Sequence, residues 1–455
     1  MKILQLVRGH SGEDFSRARH ILILMVVAAM AGIIMSMGAV EVYKRFKGLV
    51  FAIDGVLAVL LISSSIMRSR LWLYYDSFLL CLFTSLSCLS AVTNGISLSS
   101  FLFSQYMSIW ITILALYFVI QTFSDSKRYI SIFYFFASLI LGLLLICVTA
   151  HAVISLLFPG FGQDFIKGCF LNGRMCAIGN ANYLGFSCAA LMLMSAFGLL
   201  TDYHKSRALK IYYIVTMIIG WFCLGLSGCR TAMVGVSFAL GLWSCIYIKD
   251  KLHNANISLP VSLIAATVIF LLLLESFELP ISICKGLVFV LGEMIDGSGS
   301  DKIMSISAHR ISEDDGTLTD RTLIWAAGLK ACFKNMRRFI WGISPLGKEG
   351  ISGVYAGHHE VIISHAHNAY IEILRKHGIV GFITMMSLIF AWIINGLRQI
   401  FNKAADHGDK FLAGSMITVL IMGICEPMPF ANTSETLITV PFFLASGYCI
   451  KAGRS

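Results

Sequence analysis

Residues 129–157 read YISIFYFFASLILGLLLICVTAHAVISLL, an apolar run that contains no charged side chain. A helix needs roughly 20 apolar residues to cross the hydrocarbon core of a bilayer, and this run is longer than that. It begins directly after Lys127 and Arg128. The run therefore predicts a membrane-spanning helix, and the remainder of the chain repeats the same pattern.

The composition of the whole chain agrees with that prediction. The chain has 455 residues, of which 57% are hydrophobic and only 13% are charged. Soluble domains carry about a quarter charged residues, so an ordinary soluble enzyme is excluded. We predict an all-α polytopic membrane protein with about twelve spans. The spans are predicted near residues 20–40, 48–66, 71–93, 101–122, 129–157, 181–200, 210–226, 231–248, 257–274, 379–397, 410–426 and 436–450.

Basic residues give the predicted spans a direction. Lys and Arg collect on the cytoplasmic side of short connections, and here they cluster in alternate connections, for example at 205–210 and 398–410. This bias places both termini in the cytoplasm and accounts for the net charge of +10. Because no basic cluster with interleaved aromatic residues is present, we expect no nucleic acid as a partner. The first apolar run follows Arg17 and Arg19 and is long enough to remain a span, which argues against a cleaved signal peptide.

One connection is much longer than the others and divides the chain. We predict spans 1 to 9 in residues 1–274, an extracytoplasmic loop over 275–366, and spans 10 to 12 in 367–455. A loop of that length is uncommon unless it is functional. Its apolar stretch Ile281–Leu291 is too short to span and predicts an interfacial or re-entrant segment. Thr319-Asp320 then predicts the start of an amphipathic helix.

Two arginines on the predicted outer side are candidate phosphate ligands. Arg230 lies in Ser227-Gly228-Cys229-Arg230-Thr231, at the junction of the seventh and eighth spans. Arg321 lies on the first turn of the loop helix, where backbone amides attract anions. The alternatives are an Arg230 side chain that extends to the membrane surface and an ion pair of Arg321 with Asp320 or Glu313.

A histidine-rich segment follows the loop and supplies a candidate base. It reads His365-Ala366-His367-Asn368-Ala369-Tyr370. A neutral His367 suits the removal of a proton from a sugar hydroxyl, with Asn368 orienting it or binding sugar. A structural hydrogen bond at the start of a helix is the alternative for His367. A metal site with His358 and His359 is a weaker one, because no carboxylate has the ligand spacing.

A further polar stretch precedes the sixth span. Arg174 could bind phosphate there, and Asn180 and Asn182 could cap the helix or bind sugar hydroxyls. Asp54 lies within a predicted span, as a packing partner or a proton-coupling group. Cys169 and Cys176 share one loop, and whether they form a disulfide is open. The glycines of 296–300 predict a flexible linker rather than a phosphate-binding loop. The acidic run 313–315 predicts a solvated surface rather than a divalent-ion site.

Taken together, these motifs resemble the O-antigen ligase and polymerase superfamily of bacterial surface-polysaccharide glycosyltransferases. The matching features are the Arg-to-Asn-x-Asn stretch at 174–182, Ser-x-x-Arg-Thr at 227–231, Asp-Arg-Thr-Leu-Ile-Trp at 320–325, Gly342, and His367-Asn368-Ala369-Tyr370 leading to Gly378 and Gly381. The resemblance implies a GT-C-like enzyme of the cytoplasmic (inner) membrane, active on its outer face and independent of metal or other cofactors.

The resemblance also implies the substrates. An undecaprenyl-diphosphate-linked glycan would be the donor, and a glycan or lipid-linked acceptor, such as a lipopolysaccharide core, would supply the hydroxyl. Arg230 and Arg321 would hold the diphosphate with Arg174 as a third cation, and His367 would be the base in an inverting transfer. A ligase and a repeat-unit polymerase of the cell envelope share this chemistry, and the ligase is favoured. A transporter of lipid-linked sugars is disfavoured because internal repeats and midplane charges are lacking, and a scaffold without catalysis remains the third class.

Overall fold

The computed structural model describes residues 53, 55–56, 74–122, 125–158, 170–171, 173–176, 180–201, 206–252, 255–297, 306, 318–356, 359–430 and 436–454. Within these ranges most residues are helical. The helices are α1 (Tyr75–Thr93), α2 (Leu98–Leu102), α3 (Gln105–Thr122), α4 (Ser126–Leu157), α5 (Ala181–Leu200), α6 (Arg207–Ser227), α7 (Arg230–Lys251), α8 (Ala255–Ser276), α9 (Leu279–Asp296), α10 (Leu318–Cys332), α11 (Met336–Trp341), α12 (Ala369–Phe401), α13 (His407–Met422) and α14 (Thr436–Ala452).

Every predicted span from 71–93 onward coincides with one of these helices. Nearly all of the first two predicted spans, Asp54 included, lie outside the described residues, so the count of twelve stays a prediction. Seven segments of the described chain are long and apolar enough to cross a membrane. They are Tyr75–Thr93, Ser126–Leu157, Ala181–Leu200, Arg207–Ser227, Arg230–Lys251, Ser258–Ile295 and Ala369–Phe401. The chain is therefore a helical membrane protein.

Small residues allow the helices to pack closely, as in other membrane bundles. In the central helix α5, 83% of the residues in its most apolar stretch are buried. A side chain on Gly198 of α5 would overlap the ring of Tyr213 in α6, and one on Gly185 would overlap Cys229. These glycines fix the position of α5 against the α6–α7 hairpin, and thereby the position of the residues that precede α5.

The apolar stretch predicted to be interfacial, Ile281–Leu291, belongs to the longer helix α9. Pro280 lies on the first turn of this helix, where its missing N–H costs no hydrogen bond. A side chain on Gly225 of α6 would clash with Pro280 and with the carbonyl of Phe277, so α9 starts in close contact with α6. Its depth in the membrane, and the predicted domain boundaries, remain predictions.

Helix α12 is broken near its start. Gly378 has φ 66° and ψ −174°, and a Cβ there would collide with the Ile340 carbonyl. The break leaves two helix carbonyls without helical partners, and the segment after α11 binds them: Ile343 N–H donates to Arg375 O (2.9 Å) and Ser344 N–H to Lys376 O (3.1 Å). The predicted span began at 379, so the part of α12 before the break lies outside that prediction.

Two short β-hairpins accompany the helices. Strands β1 (Phe170–Leu171) and β2 (Arg174–Met175) pair antiparallel, as do β3 (Ile351–Ala356) and β4 (His359–Ile363). The described residues of the predicted long loop thus include helices and a β-hairpin. Helix α10 packs against β3 and the start of α12 through a small core of Ile324, Ile351 and Ala366.

Candidate active site

The site is centred on a buried carboxylate, Glu426, in the irregular segment that follows α13. Its side chain is only 2% exposed. One carboxylate oxygen, Oε1, accepts hydrogen bonds from Arg321 Nη2 (3.0 Å) and Asn182 Nδ2 (3.1 Å), and the other, Oε2, lies 3.2 Å from His367 Nδ1. Three segments that are distant in sequence therefore meet at one carboxylate.

Arg321 reaches this carboxylate from the first turn of α10. Besides the ion pair with Glu426, its Nη1 donates to the Cys425 carbonyl. The side chain remains 27% exposed. An ion pair had been the alternative to a phosphate role, and one is present, but its partner lies 105 residues away in the chain. A guanidinium has five N–H donors, so these two contacts leave donors for a further anion.

His367 is held in an unusual backbone conformation. Its φ is 47°, in the left-handed region that few residues other than glycine adopt. Trp325 Nε1 donates to the His367 carbonyl at 3.4 Å, and the side chain is 29% exposed. The neutral tautomer that donates Nδ1–H to Glu426 carries its lone pair on Nε2. This arrangement orients the ring and leaves Nε2 as the basic nitrogen.

Asn368 starts α12 as its N-cap. Its Oδ1 accepts from the backbone N–H groups of Tyr370 (2.9 Å) and Ile371 (3.0 Å), and its Nδ2 donates to Ile424 O (2.9 Å). The amide therefore ties the start of α12 to the segment that carries Glu426. These contacts favour the orienting role over the sugar-binding one.

Arg174 and Asn182 extend the network towards the α6–α7 turn. Arg174 Nη2 donates to Asn182 Oδ1 (3.1 Å), and Arg174 Nε donates to the Ser227 carbonyl (2.7 Å). Asn180 has a different task, because its Oδ1 caps α5 by accepting from Tyr183 N–H (2.9 Å). Asn182 thus bridges Arg174 to Glu426, whereas Asn180 is the helix cap.

Arg230 follows the Ser227–Cys229 turn that Arg174 binds. It is the first residue of α7 and is exposed. It follows the turn at Gly228, whose φ is 58°. Since Arg174 binds the carbonyl of Ser227 in the same turn, the structure places Arg230 at the edge of the site.

Two further titratable side chains lie close to the site, His365 beside His367 and Cys229 in the turn before α7. The rings of His365 and His367 lie edge to face, with 4.2 Å between their centroids. Burial, and then the neighbouring His367, lower the pKa of His365 to about 4. Burial raises the pKa of the Cys229 thiol to about 12, and the Glu426 charge adds to the effect. At neutral pH His365 is therefore an uncharged neighbour and Cys229 a protonated thiol.

Sequence reasoning missed Glu426 and singled out Asp54 as the clear carboxylate deep in a predicted span. The predicted span 410–426 ended on Glu426, but α13 ends at Met422. The available signal was a single carboxylate at the end of an apolar run, followed directly by Pro427.

Other predicted features fall partly outside the described residues. Cys169, His358 and the acidic run 313–315 lie there, so the disulfide and the ion sites stay open. In the part of the chain that the structure describes, no group of three or more His, Cys, Asp or Glu side chains is arranged to hold a metal ion.

A family model described as O-antigen ligase matches residues 215–386. This confirms the resemblance to the O-antigen ligase superfamily. The matched region contains Arg230, Arg321 and His367, whereas Arg174 and Glu426 lie outside it. A search of curated proteins finds no match.

Proposed function

We propose that this protein, which carries an O-antigen ligase match over residues 215–386, is a membrane glycosyltransferase of surface-polysaccharide synthesis. It transfers a glycan from an undecaprenyl diphosphate carrier to an acceptor hydroxyl at the outer face of the cytoplasmic membrane. The observation that carries the proposal is the convergence of Arg321, Asn182 and His367 on Glu426.

His367 is the base in this proposal. The acceptor hydroxyl donates to Nε2, and the proton moves to this nitrogen as the oxygen attacks the anomeric carbon. Glu426 accepts a hydrogen bond from Nδ1–H and stabilises the imidazolium that forms, as the carboxylate does in a Ser-His-Asp triad. Because 2% of the Glu426 side chain is exposed, little water screens this interaction.

The arginines stabilise the leaving group. The bond from the anomeric carbon to the diphosphate breaks, and negative charge develops on the phosphate oxygen. Arg321 keeps donors for this anion while Glu426 and the Cys425 carbonyl fix its guanidinium. Arg174 is held by Asn182 and the Ser227 carbonyl, and Arg230 lies exposed at the edge. Direct attack with this departure inverts the anomeric carbon, and no covalent enzyme intermediate is needed.

The ligase and the polymerase differ in the acceptor, and a reconstitution distinguishes them. The purified protein in liposomes is supplied with carrier-linked repeat units, with and without a separate glycolipid acceptor. Transfer only in the presence of that acceptor supports the ligase, whereas lengthening of the carrier-linked repeats alone shows a polymerase.

His367→Ala tests the base in the same assay. We expect transfer to be lost while the protein still folds, because general-base catalysis contributes about 10²–10⁴-fold. The matched control is His407→Ala. His407 packs on Tyr247 (5.1 Å between ring centroids) at the end of α13 opposite to Glu426. Wild-type transfer by the His367 variant would contradict the assignment.

A further inference from the structure

Helix α10 is apolar on two opposite faces. One face, with Ile324, Gly328 and Cys332, is buried against the start of α12 and β3. The opposite face carries Leu323, which is 54% exposed, and Phe333, directly after the helix, is 62% exposed. Residues spaced by three or four positions share one side of a helix, so Leu323, Ala326 and Lys330 form one exposed stripe, and Phe333 extends it just beyond the helix.

The stripe continues into α11 and is flanked by cations. Met336 is 71% exposed, and Phe333 stacks on Phe339 with 5.3 Å between ring centroids. Lys330, Lys334 and Arg337 are exposed, and among the described residues none of them forms an ion pair. The neighbouring Arg338 differs, because Glu349 neutralises it (2.6 Å). Exposed apolar side chains accompanied by three cations that pair with no described carboxylate suit contact with a membrane surface.

A hydrogen bond fixes the height of this surface relative to the membrane helices. Arg337 Nη2 donates to Asn94 Oδ1 at 2.9 Å. Asn94 is the C-cap of α1, one of the helices long and apolar enough to span. The Asn94 Nδ2 also donates to the Gly342 carbonyl (3.1 Å), which follows α11. The corner formed by residues 329–337 therefore lies level with the end of a membrane helix, where phospholipid headgroups lie.

We propose that the exposed stripe of α10, together with Lys334, Met336 and Arg337, is a docking surface for anionic phospholipids of the surrounding bilayer. Leu323, Phe333 and Met336 enter the headgroup region, and Lys330, Lys334 and Arg337 bind lipid phosphates. Because Arg321 lies on the first turn of the same helix, this contact sets the height of the site above the bilayer. The proposal does not depend on glycan transfer.

Photo-crosslinking identifies the occupant directly. Full-length protein with Phe333→p-benzoyl-phenylalanine is reconstituted in vesicles of equimolar phosphatidylglycerol and phosphatidylcholine, illuminated and analysed by mass spectrometry. We expect the adducts to contain more phosphatidylglycerol than phosphatidylcholine. The ratio of the two should rise by about fivefold for each cation that binds a lipid phosphate, because such a contact contributes about 1 kcal/mol. Raising the salt to about 1 M shortens the screening length to about 3 Å and should reduce the excess.

The triple variant K330Q/K334Q/R337Q should bring the two adducts to parity. Its matched control, K249Q/K251Q/K403Q, removes the same charge from exposed lysines at the other end of the bundle and should keep the excess. Lipid adducts without a preference for phosphatidylglycerol would overturn the proposal. A cross-link to residues 298–317, whose acidic run could pair with these cations, or to a second copy of the chain would also overturn it. If the triple variant does not fold, the loss of the phosphatidylglycerol excess at high salt in the protein with all three cations tests the proposal instead.

Discussion

Glu426→Gln tests the centre of the site, because it changes charge with little change in shape. In the wild type the carboxylate accepts from Arg321, Asn182 and His367. A glutamine has one acceptor oxygen, so its NH₂ group must face at least one of these donors. If it faces His367, the ring must accept on Nδ1 and carry its proton on Nε2, which is the wrong tautomer for a base.

The size of the effect follows from burial and from the contacts. Hydrogen bonds to a charged group contribute about 1.5–3 kcal/mol each, and loss of a buried charged partner costs about 3–5 kcal/mol. Arg321 and His367 are 27% and 29% exposed, so water compensates part of this cost. We expect a loss of about 2–3 kcal/mol in the free energy of unfolding. Loss of the orienting carboxylate costs about 10⁴-fold in the Ser-His-Asp triad, and we expect a decrease in transfer rate of about 10³–10⁴-fold here.

The assay is transfer from a carrier-linked donor in liposomes, with thermal unfolding measured in parallel. Glu349→Gln is the control, because its carboxylate is 48% exposed and pairs with Arg338 alone among the described residues. A surface pair contributes at most about 1 kcal/mol, so this control should keep both rate and stability. A folded Glu426→Gln protein whose rate lies within about threefold of wild type would refute the assigned role of the carboxylate, since a lost orienting group costs far more.

Three further predictions follow from the described contacts. Arg321→Lys should lose most transfer activity, because an ammonium group cannot bind Glu426, the Cys425 carbonyl and a phosphate with the geometry of a guanidinium. A lysine variant with wild-type kcat would contradict this prediction. The pKa of His365 is lowered to about 4, so at pH 4 to 6.5 the unfolded chain binds a proton that the folded chain does not. Stability should therefore fall as pH decreases from about 6.5 to 4, and His365→Gln should flatten the Tm profile in that window. An unchanged profile in the variant would contradict this assignment. Gly378→Ala should lower Tm and the yield of folded protein, because its Cβ would collide with the Ile340 carbonyl at a positive φ. The control Gly286→Ala adds a Cβ that meets nothing within 4 Å and should behave as wild type. Equal Tm values for the two variants would show that position 378 accepts a side chain.

The sequence was most informative about the membrane helices. Apolar runs such as 129–157 depend on composition over many residues, and α4 coincides with that run. It was less informative where helices break or lengthen. The start of α12 before Gly378 contains Glu372, Arg375 and Lys376, which lowered its hydropathy below that of a span. In the structure Glu372 and Arg375 neutralise each other (2.5 Å), which no hydropathy window can anticipate.

The sequence supplied candidate residues for the site, but it indicated neither Glu426 nor the network that joins them. Arg321 and His367 stood out because an arginine on a helix N-terminus and a histidine at a membrane surface are chemically unusual. Glu426 did not, because its importance comes from three donors that approach it from distant segments. Asn182 was one of two equivalent asparagines in the sequence, and only the fold distinguishes the bridge to Arg174 from the Asn180 cap.

The interruption of α12 has a consequence for protein engineering. The backbone amides of Ile343 and Ser344 complete the broken helix, and Ser90 Oγ donates to the carbonyls of both Trp341 (2.5 Å) and Lys376 (3.2 Å). The segment predicted to be an extracytoplasmic loop, residues 275–366, is thus hydrogen-bonded to the helix bundle at residues 341–344, well before its end in sequence. Chimeras that exchange this segment between homologues should therefore place their crossover points beyond Gly378 and include the Ser90 region, because a swap cut at the membrane boundary would separate the two halves of one hydrogen-bonded joint.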